Sequence, residues 1–475
     1  MYQSKTMNTF QNEPVAKAVL KNILPAMAAA LMVLIYNLAD TFFIGQTHND
    51  VLVAAVSLAT PVFLIFIAVG TVFGVGGTSV ISRSLGKGEK EYAKKVCSFC
   101  MWACVACGII LAALFLIFME PILTMIGASE QTMGPAKTYL TIVALGGPLV
   151  LISSCFSNVV RAEGQSGKAM AGQVIGNVVN IILDPIMILV FGWGITGAAI
   201  ATVVGNMVGA VYYVLFYLRG KSILGISIRD FSVKDKICSS VLAIGIPAAL
   251  GSVMMSVSQI IMNQQMAGYG DMALAGIGVA MKVTMITGTV AMGVGQGVQA
   301  MLGFCVGAQR WDRFHKIMKF SMVFAFVLSV AVTIVCFLVR SQLVGAFLSQ
   351  PEAYDYAVKF TGILLTTSFL FGCFYVLVNA LQAMGAAKES LVVSISRQGL
   401  VYIPSIFILK ALLGVTGLVW AQPVADVLST ALVIILYVSS VKRMKATTEQ
   451  KETQSKMKTE YAGICHQPVC DSVRS

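Results

Sequence analysis

The chain has 475 residues, 57% of them hydrophobic and 11% charged, against about 45–50% apolar and about 25% charged in soluble domains. That composition excludes an ordinary soluble enzyme. The net charge of +12 would suit a nucleic-acid partner in a soluble protein, but the Lys and Arg residues fall between apolar runs, not in a stripe interleaved with stacking aromatics. No nucleic-acid partner is expected.

In chain order, a polar N-terminal segment (1–15) leads through Lys17 and Lys21 into an apolar run too long for a signal peptide. Spanning a bilayer takes about 20 apolar residues. Windows of that kind fall at 20–45, 51–82, 96–118, 136–160, 169–191, 195–218, 240–268, 274–305, 317–338, 357–384, 390–413 and 417–438. They predict an all-α polytopic membrane protein with twelve transmembrane helices. Basic clusters follow the second span (Arg83, Lys87, Lys90, Lys94, Lys95), the sixth (Arg219, Lys221, Arg229), the eighth (Arg310, Arg313, Lys316) and the last (Lys442, Arg443, Lys445). The positive-inside rule then places both termini in the cytoplasm. From Thr447 the chain is too polar to offset the cost of ordering it, so a disordered tail is expected.

The halves repeat. An offset of about 221 residues carries Leu24-Pro25-Ala26 onto Ile246-Pro247-Ala248 and Gly74, Gly76 and Gly86 onto Gly295, Gly297 and Gly307. At 220 it carries Gly194 and Gly197 onto Gly414 and Gly417. Each copy holds an even number of spans, so the pseudo-two-fold axis runs along the membrane normal, as in transporters built from parallel repeats. The expected organisation is a cytoplasmic N-terminal segment (1–15), a first lobe (16–220), a cytoplasmic linker (221–239), a second lobe (240–441) and a polar cytoplasmic tail (442–475). Matched prolines in the first helix of each half suggest bending elements.

Three carboxylates lie well inside the spans: Asp40, Asp184 and Asp426. An ionised aspartate near a helix centre costs about 2.5–3.5 kcal/mol, so such groups usually face a cavity and mark an ion path. At 1.5 Å per residue Asp40 sits about 7–8 Å below the outer end of its helix and Asp184 about 12 Å below its own. Gln173, Asn177, Asn180 and Asp184 share one face of the fifth helix. Thr202 on the sixth reaches a depth of about 12 Å. Two carboxylates, a carboxamide and a hydroxyl make an oxygen-rich site suited to a hard cation or a proton. An interhelical hydrogen-bond network without a transported ion is the plain alternative. In the second half Met262 replaces Asp40, and Asp426 has Lys282 and Arg397 as possible partners.

Other signals carry no chemistry. Cys97, Cys100, Cys104 and Cys107 spread over about 15 Å of helix, too far to converge on one ion. Gly86-Lys87-Gly88-Glu89-Lys90 lacks Walker spacing, and the three histidines lie outside the spans. No nucleophile–base pair suggests an enzyme. Methionines cluster around the seventh and eighth helices, including Met254, Met255, Met262, Met266, Met281, Met285 and Met292, and such side chains suit an adaptable pocket.

Pro25, Asp40, the stretch Gly176-Asn177-Val178-Val179-Asn180-Ile181-Ile182-Leu183-Asp184-Pro185, the sixth-helix run Gly194-Ile195-Thr196-Gly197-Ala198-Ala199-Ile200-Ala201-Thr202 and the exit Arg161-Ala162-Glu163-Gly164 together resemble the MATE (multidrug and toxic compound extrusion) family. The resemblance covers residues 15–440. An acidic first lobe, a non-acidic second lobe and the methionine-rich character are similar to its DinF/MepA-like bacterial branch. It implies a multi-pass protein of the bacterial plasma membrane that exports amphipathic organic cations or other drug-like small molecules by alternating access, in exchange for H⁺ or Na⁺. It implies a coupling site at Asp40, Asn180, Asp184 and Thr202, where Na⁺ would bind, with Asn177 beside it. Tyr36, Asn37, Asn158, Gln259, Met262, Met285 and Tyr375 are the candidate substrate contacts. No cofactor and no obligatory protein partner is implied. The alternatives are a flippase for a lipid-linked precursor, from the wider superfamily, and an ion channel.

Overall fold

A computed structural model describes residues 9–46, 50–220, 222–348 and 350–464, which are almost entirely helical. The first lobe holds α1 (Val15–Gly45), α2 (Asp50–Lys87), α3 (Lys90–Ile117), α4 (Glu130–Ala162), α5 (Ser166–Pro185) and α6 (Gly194–Leu218). The second begins with α7 (Ile237–Ala267), α8 (Asp271–Gly307) and α9 (Trp311–Leu338). Its α10 is a bent span, Pro351–Leu365 and Ser368–Met384 meeting at 42°. The last helical run within the apolar region, Ala387–Ala446, is 60 residues long. That length would reach about 90 Å, three bilayer cores. Gly414 breaks it at φ 60 and ψ −136, a conformation open only to glycine, giving α11 (387–413) and α12 (from 415). Twelve spans in two lobes result.

Local chemistry sets the boundaries. Ser129 and Thr132 form a reciprocal capping box at the start of α4, satisfying backbone N–H groups that the first turn leaves unpaired. Helices α1 and α7 run unbroken through Pro25 and Pro247. A π-helical turn interrupts each lobe at a different place in the repeat, Ile186–Val190 directly after α5 and Ser396–Tyr402 within α11. The final helix continues to Ile464, through part of the segment expected to be disordered. Residues 1–8 and 465–475 lie outside the described residues.

The lobes meet at the end of the bundle that carries the basic connections. There the helices cross almost backbone to backbone: a Cβ added at Gly245 on α7 would lie 1.9 Å from the Val72 carbonyl on α2, and one at Gly307 on α8 would lie 2.0 Å from the Arg83 carbonyl. Only glycine permits such an approach. Residues 9–13 cross the same seam. The Phe10 ring packs 5.4 Å from Phe304, and Arg313 donates to the carbonyls of Thr9 and Glu13 at 3.3 and 2.8 Å. The connection between lobes is held to the first one, with Ser98 and Trp102 donating to the carbonyls of Ser227 and Ile226 and Phe231 stacked on Phe99. Beside this seam, Met285, Thr289, Met292 and Gln296 of α8 face a cavity lined mainly by the first lobe.

Candidate functional site: a polar cavity in the first lobe

Glycine again explains the local geometry. A Cβ at Gly176 on α5 would stand 2.7 Å from the Gly205 carbonyl on α6, and one at Gly205 would stand 2.8 Å from Asn180 Cβ. This contact brings the polar stripe of α5 against the face of α6 that carries Thr202 and Asn206. Helix α1 closes the third side. The resulting cavity of about 520 Å³ is lined by Tyr36, Asn37 and Asp40 from α1, Asn177 and Asn180 from α5, and Thr202 and Asn206 from α6. Met285 and Met292 of α8 line it from the second lobe.

Asp184 lies behind this lining. It is fully buried, yet within electrostatic reach of Asp40; Tyr36, Tyr139 and Thr202 line the cavity. What distinguishes the cluster is its number of buried polar atoms without a hydrogen-bond partner. Both carboxylate oxygens of Asp184, Oδ1 of Asp40, both polar atoms of the Asn180 side chain, Nδ2 of Asn177 and Oε1 of Gln173 are buried without a hydrogen-bond partner. Buried polar groups are nearly always paired, and leaving a charged one unpaired costs several kcal/mol by the usual order of magnitude. The unpaired oxygens of Asp40, Gln173, Asn180 and Asp184 are chemically suited to a proton or a small hard cation.

The structure therefore brings Asp40, Asn177, Asn180, Asp184 and Thr202 together, and with them Tyr36, Asn37, Asn158 and Met285. It does not bring three other candidates to the cavity lining. Met262 is buried in the second lobe's own core with Met266 and Tyr402. Gln259 is exposed on α7, and Tyr375 is engaged by Arg397. Residues that were not singled out also line it, Tyr139, Asn206, Thr289 and Gln296, as does Arg161, noted only as part of the exit from the fourth helix. Asn206 follows Thr202 by four positions on the same helix, a signal that was available.

Lys282 and Arg397 are absent from the lining; Lys282 instead sits 5.6 Å from the centre of the Phe347 ring, and Arg397 pairs with Asp426 at 3.0 Å. The cation on the cavity wall is Arg161, which donates to Gln296 across the lobe seam at 2.7 Å and to Asn158 at 3.3 Å. The lining thus carries one carboxylate, Asp40, and one guanidinium.

A family model described as MatE matches residues 25–186 and again 247–408, two copies in register with the internal repeat. The multidrug export protein MepA of Staphylococcus aureus (strain MSSA476) is 29% identical over 429 residues, which is 90% of this chain and 95% of that protein. Among solved structures, a MATE in complex with MaL6 is 23% identical with a TM-score of 0.88, covering 94% of this chain and 99% of the other. The outward-facing conformation of a multidrug resistance MATE family transporter of the MOP superfamily is also 23% identical, with a TM-score of 0.87 over 93% and 98% of the two chains.

Proposed function

The chain belongs to the MatE family, and on that premise we propose that it is a secondary active multidrug efflux antiporter of the bacterial plasma membrane. It exports amphipathic organic cations in exchange for inward-moving H⁺ or Na⁺. The observation that carries this reading is the set of unpaired buried oxygens on Asp40, Asn180 and Asp184 against the wall of a cavity large enough for a drug-sized molecule. The name of the staphylococcal relative supports the class of cargo.

The basic connections assign the sealed end to the cytoplasm, so the seam at Gly245 and Gly307 closes the inner side and the cavity opens outward. In this state a coupling ion enters from outside and binds at Asp40 and Asp184. Neutralising these carboxylates removes the electrostatic attraction that holds an organic cation nearby, so the ion favours release of the cargo and return of the lobes. The coupling is reciprocal: an ion that prefers one state tenfold shifts the balance by about 1.4 kcal/mol. Asp40 and Asp184 hold the ion; Asn177, Asn180 and Thr202 orient it; Tyr36, Asn37, Asn158 and Met285 face the cargo.

A flippase for an anionic lipid-linked precursor would need a predominantly cationic cavity, and here a single guanidinium faces an acid cluster. Efflux of an ethidium-type dye from vesicles, driven separately by an imposed sodium gradient and an imposed proton gradient, tests the proposal. Acceleration by one of the two is expected. Efflux indifferent to both, or currents at channel rates, would overturn it.

A further inference from the structure

The second lobe contains a polar cluster of its own that the antiport reading leaves unused. At the 220-residue offset that places Gly194 on Gly414, Arg397, Gln422 and Asp426 correspond to Asn177, Thr202 and Asn206 of the cavity wall. The two lobes have filled the same place differently. In the first, neutral polar side chains surround a space. In the second, the Asp426 carboxylate, 2% exposed, accepts from Nε and Nη2 of Arg397 at 3.2 and 3.0 Å, from the Gln422 carboxamide at 2.9 Å and from the Thr367 hydroxyl at 3.4 Å. The guanidinium is walled by aromatic rings, with the centres of Phe371, Phe374 and Tyr375 at 5.1, 4.7 and 5.7 Å.

A buried carboxylate with oxygen and amide groups around it, facing three π-faces, is the chemistry of a site for a flat organic cation. We propose that the second lobe houses a cation seat equivalent to the first lobe's polar site, and that Arg397 is its permanent, tethered occupant. The π-helical turn Ser396–Tyr402 carries Arg397; such turns recur at functional sites, and this one brings the arginine from α11 to the carboxylate on α12. With the seat filled from within, Asp426 is neutralised in place and takes no exchangeable ion. Lys282 offers no competing partner, because it lies on Phe347. That coupling is confined to the first lobe is a consequence that rests on the antiport reading; the seat itself does not.

The test vacates the seat and offers a free replacement, with a readout independent of transport. In detergent, purified Arg397→Ala titrated with methylguanidinium at millimolar concentration should show a saturable rise in Tm of about 2 °C. Wild type and the double variant Arg397→Ala/Asp426→Asn should show none. An equal response in all three, or no response in Arg397→Ala, overturns the proposal. Where Arg397→Ala accumulates poorly in cells, the double variant should accumulate at least several-fold better, because the stranded carboxylate has been removed. Equally poor accumulation of single and double variants would mean that the arginine acts through packing alone, and would overturn the proposal as well. Dye efflux by the wild type reports separately on the antiport reading.

Discussion

Glu163 closes α4 and fastens the connection between the lobes. It is 3% exposed, and its carboxylate accepts from the Ser222 hydroxyl at 2.6 and 2.7 Å and from the Ile223 backbone N–H at 3.2 Å. Burial pushes its carboxyl from an ordinary 4.5 up to about 7, the bonds from Ser222 and Ile223 opposing the rise. Tyr217 and Cys97, which also face it, belong to residue types that ordinarily ionise only above about pH 8. The folded chain therefore holds the Glu163 proton more tightly than the unfolded chain does. Below about pH 4.5 both states are protonated and the contribution is fully present. Between about 4.5 and 7 it is lost as pH rises, and above 7 the dependence is flat. At about 1.4 kcal/mol per pH unit, the loss across that window is about 3 kcal/mol. Glu163→Gln keeps an acceptor for Ile223 and has nothing to titrate, so it should be more stable than wild type at pH 8 and nearly equal at pH 5. Thermal unfolding in detergent from pH 5 to 8.5 measures the difference between the two. Parallel profiles for wild type and variant, or a wild type that gains on the variant as pH rises, would refute the reasoning.

Asp184→Asn and Asp40→Asn should each insert normally and lose most dye export, because each leaves a site that no longer exchanges an ion; drug resistance equal to wild type would argue against the site. Gly245→Ala forces α2 and α7 apart where a Cβ would meet the Val72 carbonyl at 1.9 Å. Overpacking of this kind costs about 1–3 kcal/mol, a shift of about 5–150-fold against the sealed state. Spin labels at Lys87 and Gln309 should report a longer distance in that variant, and an unchanged distribution would contradict the role assigned to the seam. Gly414→Ala places a side chain at φ 60 and ψ −136, at a cost of about 1–3 kcal/mol. Its Tm should fall, and an unaltered Tm would show that α11 and α12 can join by another route.

Span number, internal duplication and the acid pair were all legible in the sequence, for one physical reason. A bilayer penalises exposed polarity so strongly that apolar length, and each exception to it, is written into the composition. Asp40 and Asp184 stood out because they were rare, and helical phase then grouped them with Asn177 and Asn180. Contacts between lobes were not legible. Nothing in the small, apolar surroundings of Gln296 on α8 announces that it meets Arg161 across the seam. Arg397 and Lys282 both stood as candidate partners for Asp426, and choosing between them needed the relative rotation of α8, α11 and α12. Nor did the sequence tell that Met262 packs in the second lobe's own core and that Tyr375 is taken up by Arg397.

The chain between the lobes is sewn to the first one as far as Asp235, whose carbonyl accepts from Tyr92 and whose carboxylate lies 3.7 Å from Lys95. Helix α7 starts at Ile237, and the joint consists of Asp235 and Lys236, both left-handed at φ 59 and 61. A pivot two residues long passes torque on instead of absorbing it. With so short a joint the second half has almost no slack with which to slide or wander, so the relative placement of the lobes is set by covalent connectivity as well as by the packed surfaces.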